Sequence, residues 1–293
     1  MSEQLVIGFA GVGMLGSEMI KRLLGKGYAV RVWNRTPEKA LALVADGAQV
    51  AATAQQLAQE CDLILLCLTD QQAVEAVVFG PKGITSAQRA VNLIDHSSIA
   101  PEATQSFAQR YKTATGAQWL DAPISGGVKG AQEGTLAIMV GGDPALTERL
   151  RPVLASYAAR VTHMGPSGAG QVAKLCNQTI VATTINAIGE AVSLAARAGI
   201  EVQALQQALA GGWADSVLLQ TFVPRMTQGY EQQIGSVATM HKDVDNVLAY
   251  AQTLGVDLPL VRATQQNWLQ AINKGLGDDD LSHIVDVTWD KAQ

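Results

Sequence analysis

Short apolar runs alternate with helical patterns through the first half of the chain. Leu5–Ala10 reads as a strand, followed by the Gly11–Gly16 segment and an amphipathic stretch to about Leu24. Ala29–Trp33 reads as a second strand and Pro37–Ala45 as a helix, and Leu63–Leu68, Val91–Ile94 and Gln118–Asp121 continue the strand series. Repetition of this kind predicts parallel strands joined by crossover helices, hence a doubly wound α/β sheet. Leu136–Gly141 adds a late strand, expected to pair antiparallel with a neighbour.

After about residue 165 the period changes. Val172, Leu175, Cys176, Ile180, Ile185, Ile188, Val192 and Ala195 recur at helical spacing with no proline among them, which predicts one long helix from Gly170 to Ala198. Val202–Ala210, Ser236–Leu254 and Leu260–Lys274 continue in the same mode, and no strand pattern returns. The Gly165-Pro166-Ser167-Gly168 cluster marks a boundary. Two domains are expected, an α/β domain over 1–164 and an all-α domain over 165–293.

Composition narrows the function. Of the 293 residues 48% are hydrophobic, enough to fill a core, and 21 basic residues against 26 acidic give a net charge of −5. No Lys/Arg block stands out and aromatic residues are few, so a nucleic-acid partner is not expected. The three cysteines, Cys61, Cys67 and Cys176, lack CxxC spacing, and the four histidines lack metal-ligand spacing, so neither a disulfide framework nor a metal site is expected. Cys176 reads as a small core residue. The Met1-Ser2-Glu3-Gln4 start has no basic n-region, and the uncharged stretch after Lys174 contains Asn, Gln and Thr and is short for a membrane span. A soluble, cytoplasmic protein is the expectation.

Gly11-Val12-Gly13-Met14-Leu15-Gly16 is G-x-G-x-x-G directly after a strand and opening a helix. The first glycine permits a tight turn, the second lets backbone approach a pyrophosphate, and the third lets the helix press close on the strand. This predicts a Rossmann-type dinucleotide site rather than a purely structural turn. At the end of the second strand, where NAD-preferring sites carry an acid, stand Asn34-Arg35-Thr36. Arg35 can stack on adenine or fork onto a 2′-phosphate, and Thr36 can donate to it, so NADP, with NADPH preferred over NADH, is the expected cofactor. The plainer reading of Arg35 is a solvated surface residue.

Asp121-Ala122-Pro123-Ile124-Ser125-Gly126-Gly127 follows a strand and ends in a donor-rich turn that suits a carboxylate, though a glycine loop for chain reversal reads the same way. Lys174 lies inside the most apolar helix, where a lysine is costly unless the site uses it, and Gln178 is one turn on. Partial burial favours a lysine's neutral form, which suits proton transfer. A lysine at the helix rim with its head in water is the alternative.

Taken in order, these segments resemble the β-hydroxyacid dehydrogenase family, which includes 3-hydroxyisobutyrate dehydrogenases and tartronate semialdehyde reductases. GFAGVGMLG is similar to the family's cofactor loop, DHSSIAP to its D-x-S-T-x-x-P segment, DAPISGGVKGAQEGTLAIMVGG to its substrate loop, GPSGAGQVAKLCNQ to its catalytic helix start, and HKDVDNV to its lysine–aspartate segment. The resemblance covers essentially the whole chain. It implies hydride transfer between the cofactor and a small carboxylate substrate, with Lys174 as the catalytic general acid/base and Asn177 and Gln178 beside it. It implies that Ser125, Gly126 and Gly127 hold the substrate carboxylate, that Ser98 contacts the cofactor, and that Lys242 lies near the nicotinamide. By the same analogy the α domain closes over the carboxyl edge of the sheet, Trp213, in Gly211–Ser216, limits the substrate pocket, and Met14 and Leu15 line the glycine loop. Many members have Asn-Asn where this chain has Asn177-Gln178, and the Asn-Gln form resembles the tartronate semialdehyde reductase branch; the roles of the two residues stay unapportioned. An imine reductase on the same fold and a non-catalytic NADP-binding scaffold are the rival readings, and Lys174 counts against both. The broad apolar stripe of the long helix predicts a homodimer or homotetramer joined through the α domain.

Overall fold

The structure is a computed structural model that describes residues 5–289. The Met1–Gln4 start, read above for its lack of a basic n-region, and the last residues of the all-α domain lie outside them. The chain divides into two compact units between Lys174 and Leu175.

Among the described residues the first unit is built on nine strands: β1 Val6–Ala10, β2 Ala29–Trp33, β3 Gln49–Val50, β4 Leu63–Leu66, β5 Asn92–Asp95, β6 Trp119–Asp121, β7 Ile124–Ser125, β8 Leu136–Gly141 and β9 Ala158–Gly165. The order across the sheet is β3-β2-β1-β4-β5-β6-β8-β7, with β9 beside β8. β1 to β6 pair in parallel throughout. β8 pairs antiparallel with β6 and β7, as expected, and also parallel with β9, which the sequence reading did not contain. Alternation explains the layers. Along β4, Leu63 and Leu65 enter one apolar cluster while Ile64 and Leu66 enter another on the opposite face. A sheet buried on both faces requires near-continuous apolar strands covered by helices, which is what the crossover segments supply.

Two elements are shorter than the sequence pattern suggests. The helix expected over Pro37–Ala45 ends at Leu41, where the chain passes into successive turns up to Gly47, whose φ is +102°. The strand expected over Leu63–Leu68 ends at Leu66, because beyond it the chain closes on the glycine loop: Cys67 N–H donates to the Ala10 carbonyl at 3.0 Å and Leu68 N–H to Ser97 Oγ at 3.0 Å.

The long helix spans Ala169–Arg197, and the second unit adds Val202–Leu209, Val217–Gln228, Val237–Thr253 and Pro259–Asn273, with a short 3-10 turn at Leu281–Val287. Its core gathers Ala182, Ile185, Ile188 and Val192 from the long helix around the fully buried Trp268. The continuous helix is longer than its uncharged stretch, and by length and composition alone it would pass for a membrane span. Its inward face is the core of the helical unit and carries buried Gln178, Asn186 and Ser193, the pattern of a core helix. Cys176, read as a core residue, is exposed: it falls on the outward side between buried Leu175 and Gln178.

The first turns of the long helix are bonded to the sheet, so they pack with the first unit although the all-helical pattern starts at the Gly165–Gly168 turn.

Candidate active site

Strand order reverses between β1 and β4, and the crevice outside the carboxyl ends of such strands is where open α/β sheets take ligands. The G-x-G-x-x-G turn lies there. A Cβ on Gly11 (φ +107°) would meet the Cys67 carbonyl oxygen at 2.2 Å, and one on Gly16 the Gly11 carbonyl oxygen at 2.1 Å. Around Gly13 nothing lies within 4 Å of an added Cβ. Two glycines are thus required by the protein's own backbone, while the middle one faces open space at the start of the helix Met14–Gly25. That cradle fits a dinucleotide pyrophosphate, which needs close backbone approach at a helix N-terminus. Met14 is exposed and Leu15 half-buried beside it.

Asn34 holds the loop itself. Its Oδ1 accepts from Val12 N–H at 2.9 Å and its Nδ2 donates to the Thr36 carbonyl at 2.9 Å. The side chain therefore latches the glycine loop to the turn after β2. Arg35 and Thr36 follow on the exposed surface of that turn.

A second cluster joins three segments of the same unit. Asp121, fully buried at the end of β6, accepts from Gly168 N–H at 2.8 Å through Oδ1 and from Gln171 N–H at 3.0 Å through Oδ2. It thereby caps the long helix from a distant strand. Burial pushes the Asp121 carboxyl up from its ordinary range, and the backbone N–H groups of Gly168 and Gln171 oppose that shift. Gln171, 1% exposed, donates through Nε2 to the Ser97 carbonyl at 2.8 Å and accepts through Oε1 from Ile99 N–H at 3.3 Å. Its amide so brackets Ser98. Lys174 stands one turn further along the helix and is half-buried. Ser125 ends β7, and Gly126 and Gly127 turn the chain with φ of +127° and +62°, conformations that an L side chain rarely adopts.

Below these loops sits a buried polar group. Asp95 Oδ1 accepts from Ser97 N–H at 2.9 Å, and burial holds its carboxyl up at about 7. His96 contacts the Ala122 carbonyl at 2.6 Å and the Tyr157 hydroxyl at 3.0 Å, and burial pushes its pKa down to about 4.

On the helical unit, Asn177, Gln178 and Lys242 meet in one chain of contacts. Asn177 Nδ2 donates to Gln178 Oε1 at 2.8 Å, Gln178 Nε2 donates to Asp243 Oδ2 at 2.5 Å, and Lys242 Nζ lies 3.2 Å from Asp243 Oδ1. Both ends of the Gln178 amide are engaged within the protein. Asp243, the aspartate of the HKDVDNV segment, is buried and organises both neighbours. Trp213 stands fully exposed in the Gly211–Ser216 turn.

Sequence reasoning named Asp121 only as the start of a loop and did not name Gln171 at all. The signal was present in Gly168-Ala169-Gly170-Gln171. A Cβ on Gly170 would meet the Met139 carbonyl oxygen at 2.4 Å and Asp121 oxygens at 2.8 Å, so this helix start is pressed against strand ends.

A glycine cradle at the switch point of a parallel sheet, with a helical unit after it, is the arrangement of a dinucleotide-binding protein. Residues 6–165 match the family model described as the NAD binding domain of 6-phosphogluconate dehydrogenase, and residues 168–288 the one described as NAD-binding of NADP-dependent 3-hydroxyisobutyrate dehydrogenase. The chain is 38% identical over 280 residues to the 2-hydroxy-3-oxopropionate reductase of Escherichia coli, covering 95% of each. It is 35% identical over 264 residues to the 3-hydroxyisobutyrate dehydrogenase of Pseudomonas aeruginosa, covering 87% of this chain and 88% of that one. The structure of the Mycobacterium tuberculosis 3-hydroxyisobutyrate dehydrogenase with L-serine superposes with a TM-score of 0.85 at 29% identity, over 97% of this chain and 98% of that chain. The chain belongs to the β-hydroxyacid dehydrogenase family and is an NAD(P)-dependent hydroxyacid dehydrogenase.

Proposed function

We propose that the protein interconverts a three- or four-carbon β-hydroxy acid and its semialdehyde, prefers NADP(H), and uses Lys174 as general acid/base. The observation that carries this reading is the position of Lys174: a half-buried lysine one turn into a helix whose start is bonded both to the Ser98 segment and to the strand that leads to Ser125–Gly127. The names of the E. coli and P. aeruginosa relatives, and the L-serine of the M. tuberculosis structure, support a short substrate with a carboxylate and an oxygen on the β-carbon.

The bound nicotinamide supplies or accepts the hydride. Backbone at Ser125–Gly127 would hold the substrate carboxylate and so orient the reacting carbon, which is where much of the rate arises. In reduction the Lys174 Nζ–H donates a proton to the oxygen that becomes the hydroxyl; in oxidation neutral Lys174 accepts it back. The preference for NADP(H) follows from Arg35 and Thr36, exposed on a turn that carries no carboxylate before Glu38.

The test follows NADPH and NADH oxidation with a panel of semialdehydes, including those of 3-hydroxyisobutyrate and tartronate, and a cyclic imine as control. Lys174→Ala is expected to cut kcat by about a hundred-fold or more with dinucleotide affinity nearly intact. Near-normal turnover in that variant, or turnover of the imine alone, would overturn the reading.

A further inference from the structure

We propose that Gln171, held by Asp121, is a positioning residue for the reaction: it fixes the distance between the Ser98 segment and the helix turn that carries Lys174. The proposal rests on the reading of Lys174 and Ser98 given above.

Gln171 is a long, flexible amide that is costly to bury, yet it is 1% exposed and both ends of its amide are engaged. Its partners are the Ser97 carbonyl and the Ile99 N–H, the two backbone groups that flank Ser98. A glutamine that served only to fill space would not need to span a single residue in this way. The same residue's backbone N–H is taken by Asp121 Oδ2, so the loop, the helix and the strand leading to the Ser125 turn converge on one residue. Space for that convergence is built in. A Cβ on Gly141 would meet both Asp121 carboxylate oxygens at 2.6 Å, and a Cβ on Gly170 would meet strand carbonyl oxygens. The Ser98 loop is tied from its other side by Ser97, whose Oγ accepts from Leu68 N–H and whose own N–H donates to Asp95. With that side fixed, Gln171 sets the separation between Ser98 and the lysine. A shift of about an ångström in such a separation is enough to cost roughly a hundred-fold in rate.

The chemistry predicts a signature specific to position 171. In Gln171→Glu the neutral carboxyl reproduces both contacts, its O–H donating to the Ser97 carbonyl and its C=O accepting from Ile99 N–H. The ionised form would set an oxygen against the Ser97 carbonyl and break the bracket. Burial, with the Asp121 carboxylate on the facing strand and Asp95 on the far side of Ser97, favours the neutral form against the opposing pull of Lys174 one turn on, so the variant should work at low pH and fail as pH rises through the new group's pKa.

The experiment compares wild type, Gln171→Leu and Gln171→Glu in three measurements: steady-state kinetics with NADPH across pH 5.5 to 9 (roughly the range in which a buried carboxyl titrates), NADPH affinity by fluorescence titration, and hydrogen exchange of the peptide covering 95–101. Gln171→Leu is expected to lose kcat by about thirty-fold or more while the substrate KM and NADPH affinity move by no more than about three-fold. Its 97–99 amides should exchange faster. Gln171→Glu should approach wild-type kcat at the acid end and fall away relative to wild type as pH rises, a loss beyond whatever the Asp95 titration near 7 imposes on both proteins. If Gln171→Leu does not fold, the Glu variant decides alone. A folded Leu variant with kcat within about two-fold of wild type, or a Glu profile parallel to wild type's, overturns the proposal. If wild type itself turns over no hydroxy acid or semialdehyde, the functional reading fails, and the exchange of the 97–99 amides still decides whether Gln171 holds the loop.

Discussion

At the scale of single residues, the carboxyl edge of the sheet holds two buried ionisable neighbours whose shifts have opposite consequences for stability. Burial raises the Asp95 carboxyl from 3.8 to about 7, so between those values the folded chain keeps a proton that the unfolded chain has released. Stability from this group is full below about 4 and declines as pH rises to about 7. Burial lowers His96 from 6.5 to about 4, so in that window the unfolded chain binds a proton that the folded chain refuses, and stability declines as pH falls. Between about pH 4 and 6.5 the two slopes oppose each other. Asp95→Asn keeps the oxygen that accepts from Ser97 N–H and removes the ionisation, leaving the His96 slope unopposed. The variant should therefore gain stability with rising pH more steeply than wild type through that window, and above pH 7 exceed wild type by more than about 1 kcal/mol. Urea unfolding at several pH values measures this, and parallel pH profiles for the two proteins would contradict it.

At the scale of elements, the turn after β2 separates two functions that the sequence joins in Asn34-Arg35-Thr36. Asn34 latches the glycine loop through Val12, whereas Arg35 stands exposed. Asn34→Ala should weaken NADPH and NADH alike, because the Val12 N–H loses its partner whichever dinucleotide is present. Arg35→Ala should weaken NADPH selectively, by about ten- to a hundred-fold for the loss of a charge-assisted phosphate contact. Titrating both cofactors against both variants checks this, and an equal effect of Arg35→Ala on the two would remove Arg35 from the phosphate site. The distinction explains what was legible. Central parallel strands announce themselves because burial on both faces leaves unbroken apolar runs, as in Leu63–Leu66, and Ala29–Trp33, though interrupted by Arg31, is found where the pattern puts it. β9 escapes because its residues alternate between half-buried and exposed positions after Ala158, a pattern weak in apolar side chains. Val217–Gln228 and Pro144–Leu154 escape because Pro224 and Pro152 lie inside them and read as breakers. Motif residues of the site were visible because backbone geometry demands glycine there. Gln171 was not, since a single polar residue in a helix reads as a solvated face until the fold shows what it meets.

At the scale of the molecule, the helical unit presents an apolar seam on the outward side of its longest helix. Ile180 (65% exposed) and Leu194 (73% exposed) are two heptads apart, with Ala187 midway and Ala191 one turn before Leu194, and all four are exposed. Small residues between larger apolar ones at seven-residue spacing let a second helix approach closely along the seam. Val217 and Leu260, at the starts of two other helices of the unit, add further exposed apolar surface, at 83% and 68%. Scattered apolar residues on a surface mean little, but a seam held in register along four turns is expensive to leave in water. The expected assembly is a homodimer or homotetramer joined through this unit, and light scattering at micromolar concentration should give a mass of two or four chains. Ile180→Glu combined with Leu194→Glu should lower that mass toward a single chain without unfolding the unit, because both side chains point away from its core. A wild-type protein that scatters as one chain would refute the assembly. An unchanged oligomer in the double variant would move the interface off this helix.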